Sequence, residues 1–439
     1  MRPMAKVLKI LPMVLVAGGA WASEPMALAP NAFPATEIAW VTLGRDLFYD
    51  PILSGNQNIA CATCHHPSLA SGDGVSLGLG EGATGLGLAR APMAAQMPRA
   101  RIPRNAPALW NVGASKYVTF FHDGRVTLDS EAPHGIRMPT GRALPAPVSS
   151  PLAAQVILPL LSPEEMAGAP GENSIADRVA AEDITSDTGA WALITARVAE
   201  IPSYHDRFER LTGTSPQITD LAEALAAFIT FEFRAVNSPW DKFLAGETDA
   251  LSVDAQRGAL LFFGDAKCST CHSGALQTDH GFHAIGIPQL GPGKAKAAGL
   301  PSYADIGRQA ITGNEEDRYR FRTPSLRMVS LTGPYGHSGA YGSLEAVIRH
   351  HSDPILSLMT YDRQEALLPK VNLGDDWGAM EDQDELINIA AAIELPAQPL
   401  DTKKISELVA FLEALTDTRA AKGRLGVPSQ VPSGLAIDR

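Results

Sequence analysis

The sequence predicts a mainly α-helical protein of two tandem, related units with long loops between the helices. Three observations lead there. The motif Cys61-Ala62-Thr63-Cys64-His65 returns as Cys268-Ser269-Thr270-Cys271-His272. Each copy follows a short segment of helical periodicity that ends in aromatic residues. Alternating apolar and polar runs, the mark of half-buried strands, are scarce, whereas Gly numbers 39 and Pro 33 in 439 residues.

The chain opens as a secretory signal does. Arg2, Lys6 and Lys9 precede an apolar run from Ile10 to Gly19, and Ala20-Trp21-Ala22 forms a small-x-small cleavage site. The apolar run is shorter than the ~20 residues that span a bilayer. The mature chain is therefore expected to start at Ser23, to be periplasmic and to have no membrane span. Loss of the three basic residues takes the net charge from −12 to −15. With no basic tract to offset it, that charge excludes nucleic acid as a partner. Hydrophobic residues at 45% suffice for ordinary cores.

The helical segments follow in order. Val41–Tyr49 and Asp254–Phe263 precede the two motifs. Thr219–Ala235 sets Leu221, Ala224, Leu225, Phe228 and Ile229 on one face, with Thr219 or Asp220 as cap. Ile405–Leu415 does the same with Ile405, Leu408, Phe411, Leu412 and Leu415. Three loops, Ser71–Pro103, Ala132–Pro151 and His280–Pro301, separate them. The joint is expected near Asn237–Asp249, giving a signal peptide at 1–22 and domains at 23–245 and 246–439.

Cys-x-x-Cys-His attaches c-type haem. Two thiols add to the vinyl groups, and the adjacent imidazole is held beneath the porphyrin as an iron ligand. Zinc and a thioredoxin-like pair are the alternatives, but four cysteines divided between two distant motifs leave zinc short of ligands. Cys61, Cys64, Cys268 and Cys271 are thus expected to carry two covalent haems, with His65 and His272 on iron. Each unit is expected to be cytochrome c-like, and no disulfide is expected.

Further motifs stand in order around these two. They are Arg104-Asn105-Ala106-Pro107, Phe121-His122-Asp123-Gly124-Arg125, Gln155…Pro159…Glu165-Met166, Phe321-Arg322-Thr323-Pro324-Ser325-Leu326-Arg327, Thr332-Gly333-Pro334-Tyr335-Gly336-His337-Ser338-Gly339, and Ser343-Leu344-Glu345-Ala346-Val347 running into His350-His351. With them the chain resembles the bacterial di-haem cytochrome c peroxidases and their relative MauG. The resemblance implies that hydrogen peroxide reacts at the N-terminal haem to give high-valent iron, with the C-terminal haem as electron relay. It implies that Glu165 shuttles a proton, that Gln155 orients peroxide and that Pro159 shapes the pocket. It implies His351 as the second ligand of the C-terminal iron, with His350 the neighbouring alternative and Met359 a remote one. His337 matches a family histidine near the second haem, with ligand and structural roles both open. A calcium ion is implied at Asn105, Thr332 and Pro334.

Two departures from the family pattern stand out. The loop Ser71–Pro103 holds no histidine to cap the first iron, so that iron is expected to be open. His122 stands where relatives carry tryptophan, which puts the inter-haem route in doubt and leaves His122, Trp110 or Tyr117 as candidates. The electron source is expected to be a small cytochrome c or cupredoxin. The alternatives are MauG-like oxidation of a residue on a partner protein, and a non-enzymatic di-haem electron carrier.

Overall fold

The computed structural model describes residues 24–94, 96–139, 142–297 and 301–439. The proposed signal segment and its cleavage site lie outside them. Among the described residues no helix is long and apolar enough to cross a membrane.

Two helix crossings organise the chain. Helix Ile38–Tyr49 packs across helix Ile218–Glu232, and helix Val253–Phe263 packs across helix Thr402–Glu413. The predicted faces are the buried ones: Leu221, Ala224, Leu225 and Phe228 are fully covered, as are Ile405, Leu408 and Phe411. A glycine stands at each crossing. A Cβ on Gly44 would lie 1.7 Å from the Ala224 carbonyl oxygen, and one on Gly258 1.9 Å from that of Glu407. The recurrence seen in the cysteine motifs therefore extends to the backbone contact beneath them.

The long helix of the first crossing differs at its ends from the expected Thr219–Ala235. It begins at Ile218, and Asp220 is its third residue, accepting from the Gln217 N–H at 2.8 Å. This braces the first turn from inside, so neither Thr219 nor Asp220 is the cap. At the other end the Glu232 carboxylate accepts from the N–H groups of Arg424 (2.9 Å), Leu425 (2.8 Å) and Gly426 (3.2 Å).

Sheet is confined, among the described residues, to three small antiparallel pieces. Ala83–Thr84 pairs with Ala91–Pro92, Val126–Leu128 lies between Thr119–Phe120 and Ile136–Arg137 and pairs with both, and Phe282–His283 pairs with Phe321–Arg322. The rest is helix and long loop.

Packing does not follow a single cut between residues 245 and 246. Helix Pro239–Leu244 already belongs to the second cluster, where Trp240 stacks on Phe263 at 5.6 Å. The tail returns to the first cluster, with Val431, Leu435 and Ile437 packed on it and Ser433 Oγ donating to Asp50 at 2.6 Å.

Because backbone fills the space a methyl group would need, Gly44→Ala and Gly258→Ala are each expected to cost about 1–3 kcal/mol. Denaturant unfolding of the holoprotein checks this. A variant within 0.5 kcal/mol of the parent, on the order of an ordinary surface change, contradicts the close crossing.

Candidate functional site

The first motif opens as a helical turn, Cys61–Cys64, and the His65 N–H closes on the Cys61 carbonyl at 3.0 Å. His65 Nδ1 meets the Ser71 carbonyl at 3.0 Å, and its Nε2 has no hydrogen-bond partner among the described residues. The second motif repeats the arrangement. The His272 N–H closes on the Cys268 carbonyl at 3.0 Å, and Nδ1 meets the Gln277 carbonyl at 3.3 Å. An imidazole held at Nδ1 by a backbone carbonyl presents Nε2 as a ligand of fixed direction.

Burial lowers the pKa of His65 and takes that of His272 down to about 4, so both rings are neutral, as metal ligation requires. All four cysteines are unpaired. Burial pushes the thiols of Cys61, Cys64 and Cys268 up to about 12 and raises Cys271 as well. Neutral paired thiols beside a directed, neutral imidazole fit covalent c-type haem.

Beside the first motif the chain runs through three short turns. Gln155 lies on helix Pro151–Val156, Pro159 on the 3-10 turn Leu158–Leu161, and Glu165 on the π-turn Pro163–Ala167. In the last, the Ser162 carbonyl accepts from the N–H groups of Glu165, Met166 and Ala167 at 3.2, 3.0 and 2.9 Å. Such wide turns cluster at functional sites. The turn is clamped from the loop after the first motif. Glu81 N–H donates to the Glu164 carbonyl at 3.0 Å, and a Cβ on Gly80 would lie 2.0 Å from that same oxygen. Arg90 in turn donates to the carbonyls of Leu79, Gly80 and Gly85.

The structure brings Glu165 close enough to Cys64 for its charge to be felt at the thiol. Its carboxyl makes no hydrogen bond or ion pair among the described residues, and neither does the Gln155 amide. Burial raises the pKa of Glu165, against the pull of Arg125 and Lys294.

At the second motif, His351 stands near enough to His272 to oppose its protonation. Helix Leu344–Ser352 carries both His350 and His351. His350 is bonded at both nitrogens, to the Tyr341 hydroxyl at 2.9 Å and the Ile285 carbonyl at 2.7 Å. His351 is held at Nδ1 by the Val347 carbonyl at 2.8 Å, and its Nε2 has no hydrogen-bond partner among the described residues.

Between the units, Arg104 is buried against Asp305 through Nε and Nη2 at 2.6 and 2.8 Å and against Asp123 at 2.5 Å. His122 Nε2 meets the Asn105 carbonyl at 3.1 Å, and burial holds its pKa down near about 4. Tyr117 meets His280 edge to face at 5.0 Å, across the units. Trp110 and Tyr117 both lie within the first cluster, and Trp110 donates to the Ala70 carbonyl at 2.8 Å. His337 is stacked on Phe321 at 3.7 Å, with both ring nitrogens buried and unbonded. The Asn105 amide donates to the carbonyls of Val75 and Ser76 at 2.8 and 3.3 Å, and no hydrogen bond joins it to Thr332 or Pro334.

Three residues of these sites escape the sequence motifs. Asp73 is buried near Cys64 and raised to about 7 by that burial. Gly80 and Lys294 sit in loops that read as irregular. The Gly291-Pro292-Gly293 turn just before Lys294 is the one signal that marks its position.

A family profile described as di-haem cytochrome c peroxidase matches residues 39–249. The methylamine utilization protein MauG of Methylorubrum extorquens is 32% identical over 327 residues, which cover 73% of this chain and 70% of that protein. MauG of Paracoccus denitrificans is 30% identical over 411 residues, 89% of this chain and 92% of that one. A MauG-like protein associated with microbial copper homeostasis, known from its crystal structure, is 25% identical with a TM-score of 0.55, covering 91% of this chain and 95% of that one.

The buried ion cluster yields a test. Arg104→Met leaves two carboxylates without their cation and is expected to cost about 3–5 kcal/mol. The Asp305 pKa is held down to about 2, chiefly by Arg104 against the cost of burial. Its stabilisation is complete above the unfolded carboxyl value of about 3.9 and fades as pH falls toward 2. Denaturant midpoints between pH 5 and 2.5, on the order of the carboxyl range, should fall in the parent and flatten in Asp305→Asn. An unchanged slope in that variant contradicts the assignment.

Proposed function

The chain belongs to the di-haem cytochrome c peroxidase and MauG family, and from that premise we propose that it is an exported, periplasmic enzyme that uses hydrogen peroxide at the His65 site. The family makes it a haem peroxidase-type oxidoreductase, so the simple carrier reading falls away. In this proposal two cytochrome c-like units each hold one haem: Cys61, Cys64 and His65 in the first, Cys268, Cys271, His272 and His351 in the second. The first unit ends before helix Pro239–Leu244 and regains the C-terminal tail.

The observation that carries the reading is Glu165. It is a half-buried carboxyl near Cys64 with no hydrogen-bond or ion-pair partner among the described residues, on a clamped π-turn. Haem, when bound, supplies the iron chemistry that splits the peroxide O–O bond. Glu165 would take the proton from one peroxide oxygen and return it to the other as the O–O bond breaks, and the Gln155 amide would orient the molecule. Pro159 keeps the intervening turn short. His351, rather than the doubly bonded His350, closes the second site, which then serves as electron relay. Tyr117, with His122 nearby, is better placed than Trp110 to connect the sites. Calcium at Asn105, Thr332 and Pro334 remains part of the proposal on family grounds alone.

Electrons come from a small cytochrome c or cupredoxin. The second reading is MauG-like oxidation of a residue on a partner protein. It is favoured by the loop Ser71–Pro103, which has no capping histidine and is braced in place by Arg90.

Glu165→Gln is expected to slow the peroxide reaction by about 10²–10⁴-fold. In the parent the rate should fall as pH drops through the raised pKa of Glu165, above the ordinary carboxylate range, because the carboxylate must be ionised to take the proton. Stopped-flow mixing of peroxide with the ferric protein reads both, and an undiminished rate in the variant removes Glu165 from the reaction. His351→Ala should abolish the low-spin absorption of the second site while His350→Ala leaves it. The opposite pattern reverses the ligand assignment.

A further inference from the structure

The segment that follows helix Thr402–Glu413 leaves the second unit and forms a strap across the first. Carboxylates pin it along its length. Asp417 Oδ2 accepts from the N–H groups of Val236 and Asn237 at 3.1 and 2.9 Å. Glu232 of the first unit holds the N–H groups from Arg424 to Gly426, and Asp50 holds Ser433. Farther along, Asp438 Oδ2 accepts from the Thr63 hydroxyl at 2.5 Å. The Arg439 guanidinium donates to the Ser429 carbonyl at 2.7 Å, which closes the strap on itself.

Thr63 is buried, and it lies inside the first attachment motif. The helical turn Cys61–Cys64 has four residues, and so short a helix is not stable by itself. Ala60, which precedes it, has no side chain to cap the free N–H groups. Instead the Thr63 hydroxyl reaches back and accepts from the Ala60 N–H at 3.1 Å. A hydroxyl has a single proton, and it is a good acceptor here because Asp438 takes that proton. The second motif shows the equivalent threonine without a strap. Thr270 is exposed, its hydroxyl donates to the Lys267 carbonyl at 2.7 Å, and no carboxylate bonds it among the described residues. Lys267 is the counterpart of Ala60. It is left-handed, with φ 55°, and leads into a 3-10 turn, whereas Ala60 is extended, with φ −121°, and leads into an α-helical one. The same hydroxyl therefore serves the preceding carbonyl at one motif and the preceding N–H at the other.

We propose that Asp438 is a positioning residue of the first site: through Thr63 it holds the attachment turn in its helical form and so fixes the direction in which His65 presents Nε2. The His65 N–H closes on the Cys61 carbonyl of that turn, so the imidazole follows the turn's backbone. The proposal rests on the reading of Cys61–His65 as a haem-attachment turn with an open iron. It makes the first site depend on a segment that arrives from the second unit, and it gives one motif two degrees of rigidity.

Resonance Raman spectroscopy of the ferrous holoprotein tests this. The iron–histidine stretch arises from a five-coordinate haem, here the first, because two imidazoles close the second. Asp438→Ala and Thr63→Val should each shift that band. Asp438→Asn and Thr63→Ser, which keep an acceptor and a hydroxyl, should leave it at the parent position. Combining Asp438→Ala with Thr63→Val should shift it no further than either change alone, because both cut one path. Hydrogen exchange at the Ala60 N–H should run about fivefold faster in Asp438→Ala, as the weakening of one hydrogen bond allows. A band left in place in Asp438→Ala overturns the proposal. So does a band that moves as far in Asp438→Asn, which would make the charge of the carboxylate the cause and not its hydrogen bond. If the parent shows no iron–histidine band, the open first site fails instead. The Ala60 exchange rate then decides for the strap: faster exchange in Asp438→Ala upholds it, and an equal rate overturns it.

Discussion

Arg104 is the interaction on which the arrangement of the two units depends. Its guanidinium is sealed between Asp123 of the first unit and Asp305 of the second. Three buried charges are expensive to remove from water, and they are held only because each finds a partner at hydrogen-bond distance. Other bonds between the units, such as Asn105 N–H to the His337 carbonyl at 2.8 Å and Arg101 to Asp376 at 2.7 Å, are ranged around this point. Asp123 also holds Arg125, which faces Glu165. The carbonyls of Asp123 and Gly124 take Arg308 at 2.9 and 3.0 Å, and Asp305 anchors the loop that carries Lys294. A shift at Arg104 would thus be felt at the first site.

The two sites share a plan and differ in what faces the attachment motif. Each presents neutral thiols and an imidazole steered by a backbone carbonyl, above a helix crossing closed by glycine. At the first, Glu165 stands on a π-turn braced by Gly80, Glu81 and Arg90, and Gln155 on a short helix, neither side chain with a hydrogen-bond partner among the described residues. At the second, a further imidazole is fixed at Nδ1 by its own helix. In the proposal, one architecture serves as an open site lined by a carboxyl and a closed one with two imidazoles, for peroxide chemistry and electron relay.

Much of this was legible in the sequence, and the reasons are local. The Cys-x-x-Cys-His motifs carry their own geometry, because a turn of that length forces thiols and imidazole together. The periodic faces of Ile218–Glu232 and Thr402–Glu413 follow from helical spacing. What escaped depends on distant segments. His350 and His351 are neighbours, and only tertiary hydrogen bonds to Tyr341 and Ile285 show which is already engaged. Trp110 and Tyr117 are close in sequence and packed in the same cluster, yet only Tyr117 is paired with the His280 ring of the second unit. Asp438 reads as an ordinary tail carboxylate until the strap brings it to Thr63. The single domain cut missed the tail because nothing local marks Ser433 as a partner of Asp50, some 383 residues away.

The central claim is that one site is open and the other is closed by two imidazoles. Electron paramagnetic resonance of the fully ferric holoprotein tests it most directly. The account predicts one high-spin and one low-spin signal in equal amounts, with the low-spin one of bis-imidazole type. Two low-spin signals, integrating to all the iron, would contradict it.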